Sequence, residues 1–340
     1  METLFYGSSG PNVKLIQSLL NKIGYNAGQV DGVFGYLTWQ AVMAFQKNNG
    51  LIPDGVVGSD TWNIFEVFLQ GYDTYTIRPG DSLYNIAARY YTTLNAILTA
   101  NPGVSPNSLM IGQQIIVPYG IDVVYTDIDY TYEILERQIQ GLRVRYPFIE
   151  TGVAGNSVMG KNLYYIRLGR GSNQVSYNAT HHANEGITTL LLMKFIENLA
   201  KAYSVGGTLG GYSIPNIWLR SSLYIVPLVN PDGLDLVNYW PNYTNPVYQN
   251  ATSLNKTGLP IPSVWKANIR GTDLNLNYPA DWDKEHEIEI QQGITGPAPR
   301  DYGGPAPLSE PESASMVNMI SPLAFLMPKF KAAPLPPFFL

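Results

Sequence analysis

His181, His182 and Glu185 stand in the run His181-His182-Ala183-Asn184-Glu185, where an apolar strand-like stretch meets a helix-like one. Residues three apart at a helix start project from one side, so His182 and Glu185 can hold one ion together. His181, four residues from Glu185, shares a helical face with it too, so spacing alone leaves both imidazoles in contention. A catalytic zinc takes three protein ligands and keeps a fourth position for water. Two of the three are visible. The chain has only three histidines, the last being His286 in the charged run Asp283-Lys284-Glu285-His286-Glu287. That setting reads as a surface residue rather than a ligand.

Bulk properties remove several function classes. The net charge is −5 and no Lys/Arg run exists to neutralise a phosphate backbone, which argues against nucleic acid as a partner. Charged residues make up 14% of the chain while Tyr numbers 24. Such a surface suits carbohydrate or glycopeptide contact, alongside ordinary core filling. The absence of cysteine excludes disulfides, thiolate zinc sites and cysteine nucleophiles. Met1 to Tyr6 has neither a basic segment nor a long apolar one, so no secretory signal is expected. The most apolar run, Leu223 to Val229, is too short to span a bilayer. The 340 residues suffice for two or three domains, each with its own core.

The first segment, about residues 1–70, contains an internal echo. Asp31-Gly32-Val33-Phe34-Gly35-Tyr36-Leu37-Thr38-Trp39 recurs as Asp54-Gly55-Val56-Val57-Gly58-Ser59-Asp60-Thr61-Trp62. Each copy predicts an Asp-Gly turn, a tight second glycine and a helix start near Thr. Val13, Ile16, Leu19, Leu20 and Ile23 recur at helical spacing behind Pro11, a first-turn residue. The expected product is a small all-α bundle. The second segment, 74–119, begins Tyr75-Thr76-Ile77-Arg78-Pro79-Gly80-Asp81-Ser82-Leu83, a strand and turn with Asp81 or Ser82 as helix cap. Two short helices follow, and Gln114 to Pro118 closes as a strand.

These patterns resemble known modules. The first segment is similar to the peptidoglycan-binding domain of bacterial wall hydrolases, through G-x-x-G-x-x-V-x-x-x-Q, D-G-x-F-G-x-x-T and A-V-x-x-F-Q. The second resembles the lysin motif, with its βααβ order, Asn101-Pro102 and the closing Ile-x-Val-Pro. That resemblance implies binding of N-acetylglucosamine-containing glycan near Gly80–Leu83 and Asn107–Ile111. Two wall-binding modules in one chain gain avidity without new contacts. A short proline-marked junction around Pro118 to Thr126 is expected to lead to the third segment.

Within the third segment, residues 122–340, strands and helices alternate from about Asp129, which predicts an α/β layered fold. Tyr130–Tyr146 reads as a helix, Leu163–Leu168 and Gln174–Asn178 as strands, and Leu223–Val229 as a buried central strand before the turn Asn230-Pro231-Asp232-Gly233. The order H-H-A-N-E, V-N-P-D-G, Trp265-Lys266-Ala267-Asn268 and Gly271-Thr272-Asp273-Leu274-Asn275-Leu276-Asn277 resembles the zinc carboxypeptidase family of the carboxypeptidase A type. Within it the resemblance is nearest to bacterial γ-D-glutamyl-diaminopimelate endopeptidases. It implies a mixed sheet, Zn2+ held by His182 and Glu185, and Asn275 contacting the substrate. Lys266, or else Arg270, would stabilise the tetrahedral oxyanion. Leu276 replaces the arginine of the family's D-x-N-R-N motif. Its loss removes a bidentate carboxylate clamp and argues against ordinary trimming of C-terminal residues. Gly186 departs as well, because the family usually carries a large residue there.

The resemblance fades after Ser309-Glu310-Pro311-Glu312-Ser313. The family pattern should then supply a third ligand, a histidine, and later a glutamate base. The chain instead runs Ser321-Pro322-Leu323-Ala324 and ends Pro334-Leu335-Pro336-Pro337-Phe338-Phe339-Leu340. The domain of residues 122–340 is therefore expected to be truncated or altered after about 320, with Glu310 and Glu312 as helix-start charges rather than the base. Two function classes stay open: a wall-bound zinc peptidase that cuts stem peptides, and a wall-binding protein whose peptidase part is impaired. The partner in either case is peptidoglycan. The expected location is the bacterial wall or the exterior, with a sporulation or lysis setting reconciling that with the lack of a visible export signal.

Overall fold

Repetition in the first segment has a hydrogen-bonded cause. In the computed structural model, which describes residues 2–324 apart from 242 and 244, three helices pack as a bundle: α1 (Pro11–Lys22), α2 (Tyr36–Asn48) and α3 (Ser59–Gln70). The buried Gln17 of α1 donates to Asp31 Oδ1 and Thr38 Oγ1, both at 3.0 Å. Its counterpart Gln46 of α2 donates to Asp54 Oδ1 at 2.9 Å and Thr61 Oγ1 at 3.1 Å. Each copy of the echo thus satisfies one buried amide and fixes one turn. Pro11 occupies the first turn of α1, as its lack of an N–H allows.

The lysin-like segment is β1 (Tyr72–Thr76), α4 (Leu83–Arg89), α5 (Leu94–Ala100) and β2 (Gln114–Pro118), with β1 and β2 antiparallel. Ser82 and Thr93 cap the two helices by accepting from Asn85 N and Ala96 N. Ile77, Leu83, Ile86, Ile97, Ile115 and Val117 form a core of its own.

The short junction expected after Pro118 is packed into the core. Val123, Val124 and Tyr125 are buried in a core that runs without a break from Leu4 through the bundle into the third segment. The buried Glu197 carboxylate accepts from Val123 N at 2.7 Å, which anchors the junction. Arg137 joins Glu66 of α3 at 2.7 Å across the same interface. Gly141 is required here, because a Cβ would lie 2.4 Å from Gln70 O, a backbone atom with no freedom to retreat. The bundle is therefore fused to the third segment rather than tethered to it.

That segment contains α6 (Tyr132–Arg145), β3 (Glu150–Asn156), β4 (Asn162–Leu168), β5 (Asn173–Asn178) and α7 (Gly186–Ser204). A small hairpin, β6 (Thr208–Leu209) and β7 (Tyr212–Ser213), precedes α8 (Ile214–Arg220), β8 (Ser221–Val226) and α9 (Pro231–Asn238). Then come α10 (Pro246–Thr252), α11 (Ile261–Val264), a 3-10 turn (Leu274–Leu276), α12 (Trp282–Gln291) and α13 (Pro311–Ala324). The sheet order is β3-β4-β8-β5, antiparallel except for the parallel pair β5/β8. The central strand stops at Val226, before Pro227 rather than after it. The sequence-based expectations for the Pro- and Phe-rich tail fall on residues 325–340, outside the described ones. Among the described residues no helix is long and apolar enough to cross a membrane.

Candidate functional site

The parallel strands β5 and β8 end side by side, and the loops that leave their carboxyl ends build the site, where open α/β sheets place ligands. After β5 the chain reaches Thr180 in a left-handed conformation, φ 50°. This strain is held by buried hydroxyls: Thr180 Oγ1 lies 2.7 Å from Thr189 Oγ1, which in turn donates to Pro227 O at 2.6 Å. From β8 the buried Asn230 reaches back, donating to His181 O and Ala267 O, each at 3.0 Å. The two loops are thereby locked to one another and to the strand-like run at Lys266.

This scaffold separates the two histidines that spacing left equivalent. His181 is half-buried and its Nε2 lies 2.8 Å from Tyr278 Oη. Burial, aided by neighbouring His182, pushes its pKa down to about 4, so it is neutral at pH 7. His182 turns Nδ1 to Glu185 Oε1 at 3.0 Å and Nε2 to Asp273 Oδ1 at 3.2 Å. The hydrogen bond to Asp273 raises the His182 pKa above its ordinary value. Burial opposes ionisation of Asp273, yet His182 and the N–H groups of Asp301 and Asn275 outweigh it and hold this carboxyl below the usual range.

Two donors about 2.1 Å from a tetrahedral zinc lie about 3.4 Å apart, so the Nδ1 and Oε1 pair at 3.0 Å needs only to part slightly to take the ion. A carboxylate on the other ring nitrogen is what a zinc-binding imidazole ordinarily has, fixing its tautomer. The set is one short. Among the described residues no third His, Cys, Asp or Glu joins the pair. His286 is not free to do so: its ring stacks on Trp282 at 4.7 Å and Nδ1 contacts Glu289 at 3.2 Å.

A cavity of about 410 Å³ opens beside His182, lined by Lys266, Asn275, Leu276 and, from α12, Glu285 and Glu289. Lys266 therefore shares the cavity with His182. Arg270 does not line it; its guanidinium sits 3.6 Å from Glu310. Asn275 Nδ2 lies 3.1 Å from His182 Nε2. The glycine at 186, where the family favours bulk, has a local reason: a Cβ would meet Leu234 Cδ1 at 2.7 Å. Asp273 and the acidic face of α12 went unrecognised at the level of sequence. Asp273 had a signal, since it opens the D-x-N-x-N run two residues before Asn275.

Glu310 and Glu312 do begin α13, but they are buried instead of solvated, because α13 packs along β3. Asn268 Nδ2 donates to Glu310 at 2.8 Å, and Val158 N to Glu312 at 3.0 Å. Burial lifts the Glu312 pKa from 4.5 to about 7. A carboxyl that holds its proton more tightly when folded loses stability as pH rises from the unfolded pKa to the folded one. Here that window is 4.5 to about 7, and the loss is on the order of 3 kcal/mol. Glu312→Gln should therefore flatten the pH dependence across that window and stabilise the protein at alkaline pH, as urea unfolding at a series of pH values would register. An unchanged pH profile in the variant would refute this.

With this geometry established, comparison with known proteins places the chain. The zinc carboxypeptidase family model matches residues 135–330, a peptidoglycan-binding domain model 9–65, and a LysM domain model 75–118. A gamma-D-glutamyl-L-diamino acid endopeptidase of Lysinibacillus sphaericus is 38% identical over 295 residues, covering 72% of this chain and 73% of that one. An uncharacterized protein of Bacillus subtilis, YqgT, is 34% identical over 56% of this chain and 50% of its own length. A spore cortex-lytic enzyme of Bacillus cereus is 40% identical over 74 residues, 22% of this chain and 28% of its own. The chain belongs to the zinc carboxypeptidase family, with a peptidoglycan-binding domain and a LysM domain ahead of its peptidase domain.

Proposed function

We propose that this protein hydrolyses the stem peptides of peptidoglycan at the γ-D-glutamyl bond to a diamino acid, held to the wall by its N-terminal modules. One observation carries the reading: the His182–Glu185 pair at 3.0 Å, steered by Asp273, in a chain with two wall-binding modules. His182 Nδ1 and Glu185 would hold Zn2+, which when bound polarises a carbonyl and acidifies water. Lys266, in the same cavity, would face the developing oxyanion, and Asn275 the substrate. Arg270, paired toward Glu310, is the weaker candidate for the oxyanion role. Leu276 in place of a guanidinium favours an internal bond over a free terminal carboxylate. The similarity to a spore cortex-lytic enzyme supports a wall-associated location with a link to sporulation.

A specific observation favours a second reading, a wall-binding protein with an impaired peptidase domain. His181 and His286 are engaged elsewhere, and no third donor stands by the pair among the described residues. Incubating the full chain and Glu185→Gln with zinc and a γ-D-glutamyl-diaminopimelate muropeptide separates the two, with products followed by mass spectrometry. Cleavage by the parent chain alone supports the peptidase. Equal inertness of both, with sacculi still bound, replaces it with the adhesion reading.

A further inference from the structure

Charge is uneven in the cavity beside His182. Four carboxylates line it, those of Asp273, Glu285, Glu289 and Asp301, against one ammonium, Lys266. Three of the four are committed. Asp273 takes up His182 and the N–H groups of Asn275 and Asp301. Glu289 Oε1 accepts from Gly303 N at 2.7 Å, and its Oε2 lies 3.2 Å from His286 Nδ1. Asp301 Oδ2 accepts from Arg300 Nε at 2.7 Å. Glu285 is different: it is half-buried, and among the described residues no hydrogen bond or ion pair engages its carboxylate. The cations beside it in sequence are turned elsewhere, Lys284 to Asp281 at 2.7 Å and His286 to Glu289.

The helix presents that carboxylate to the cavity by its register. Glu285, Glu289 and Gln292 recur at i, i+4 and i+7 on α12, so all three line the cavity from one face. The bond from Gly303 N to the buried Glu289 anchors this face, and Glu285 stands one turn before the anchor. Leu276 belongs to the same lining, at the position where the family's motif has an arginine. A guanidinium there would grip a carboxylate. Leucine, in a cavity that also holds an unengaged carboxylate, offers the opposite: hydrocarbon surface together with a negative charge. Such a lining suits an aliphatic chain that ends in an ammonium, and it repels one that ends in a carboxylate.

We propose that Glu285 is a specificity residue that receives the side-chain ammonium of the diamino acid, whose methylene groups lie along Leu276. The inference rests on the stem-peptide reading above and names the group that tells a diamino acid from a neutral or acidic residue. It also divides stem peptides into two classes. A stem whose side-chain amine is free carries the charge that Glu285 takes up. A stem whose amine is acylated, as in a peptide cross-link, has no charge there and forfeits the contact. The preferred substrate is therefore the uncross-linked stem.

The test uses the full chain and two soluble probes, the amide of L-Ala-γ-D-Glu-L-Lys and the same peptide acetylated on the lysine side chain. Neither contains glycan, so the N-terminal modules do not contribute. Affinities come from titration calorimetry with zinc withheld, so that cleavage does not intervene. The parent chain should bind the free amine about tenfold more tightly than the acetylated form, the scale of one charge-assisted contact. Glu285→Gln should bring the free amine down to the affinity of the acetylated peptide and leave the latter unchanged, whereas Glu285→Asp should keep part of the preference. Equal binding of both probes by the parent chain would overturn the role of Glu285 and leave the stem-peptide reading standing. So would a preference that survives in Glu285→Gln. Loss of both probes in that variant would also overturn it, by showing that the residue only supports α12. A parent chain that binds neither probe overturns the stem-peptide reading together with the specificity residue.

Discussion

Lys161→Met should destabilise the peptidase domain by about 3–5 kcal/mol, the cost of leaving buried carboxylates without their counter-charge. Lys161 Nζ lies 2.7 Å from Asp235 Oδ2, 3.3 Å from Asp232 Oδ1 and 3.0 Å from Tyr248 Oη. Burial would lower its pKa, but Asp235, Tyr248 and Asp232 together raise it instead. Asp232 is wholly buried and accepts from Met159 N at 2.9 Å, while Asp235 accepts from Tyr132 N at 3.0 Å. One ammonium thus ties the β3–β4 turn, α9 and the start of α6 together, and the methyl thioether of Met fills its space without its charge. The melting temperature should fall on the order of 10 °C for a domain of this size. The deficit should narrow on acidification, because a protonated aspartate no longer calls for a cation, and Lys161→Met/Asp235→Asn should recover part of it. A melting curve within a degree or two of the parent would show that the network is solvated rather than buried.

How far the chain can be read without coordinates depends on whether the deciding contact is local. The bundle was legible because Gln17, Asp31 and Thr38 fall within one short stretch and repeat as Gln46, Asp54 and Thr61. The Ser82 cap is likewise a contact across three residues. The burial of the junction at Val123–Tyr125 was not legible, because it depends on Glu197, 74 residues away from Val123. The α12 run looks like a solvated charged face, and Glu285 and Glu287 suit that description. Glu289 does not: it is buried because it accepts from Gly303 N at 2.7 Å, a contact made by a loop with no periodicity to announce it. The choice between His181 and His182 belongs to the same class. Spacing treats them alike, and the left-handed Thr180 and the reach of Asn230 decide which ring turns toward Glu185.

Asp273→Asn should lower zinc affinity about 10- to 100-fold while Glu185 and His182 remain in place, the usual effect of removing the partner of a metal-binding imidazole. The carboxylate accepts the Nε2 proton of His182, which commits the lone pair of Nδ1 to the side where Glu185 lies. An amide cannot supply that charge, and the tautomer is then free to reverse. Structural damage is small by comparison, since Asn keeps an acceptor for Asn275 N, though the contact to Asp301 N is weakened. Equilibrium dialysis with zinc gives the affinity, and an independent readout comes from proton NMR. With only three imidazoles in the chain, the ring signals of His181 and His182 can be told apart. The His182 pKa, raised chiefly by Asp273, should fall toward its ordinary value in the variant, whereas His181, depressed mainly by its own burial, should keep a low one. If His182 titrates unchanged, Asp273 does not steer it, and the two-ligand geometry at residues 182 and 185 loses its physical cause. A shifted titration with no measurable zinc binding in the parent chain would mean that the orienting carboxylate persists in a domain that has lost its metal, the outcome required by the adhesion reading.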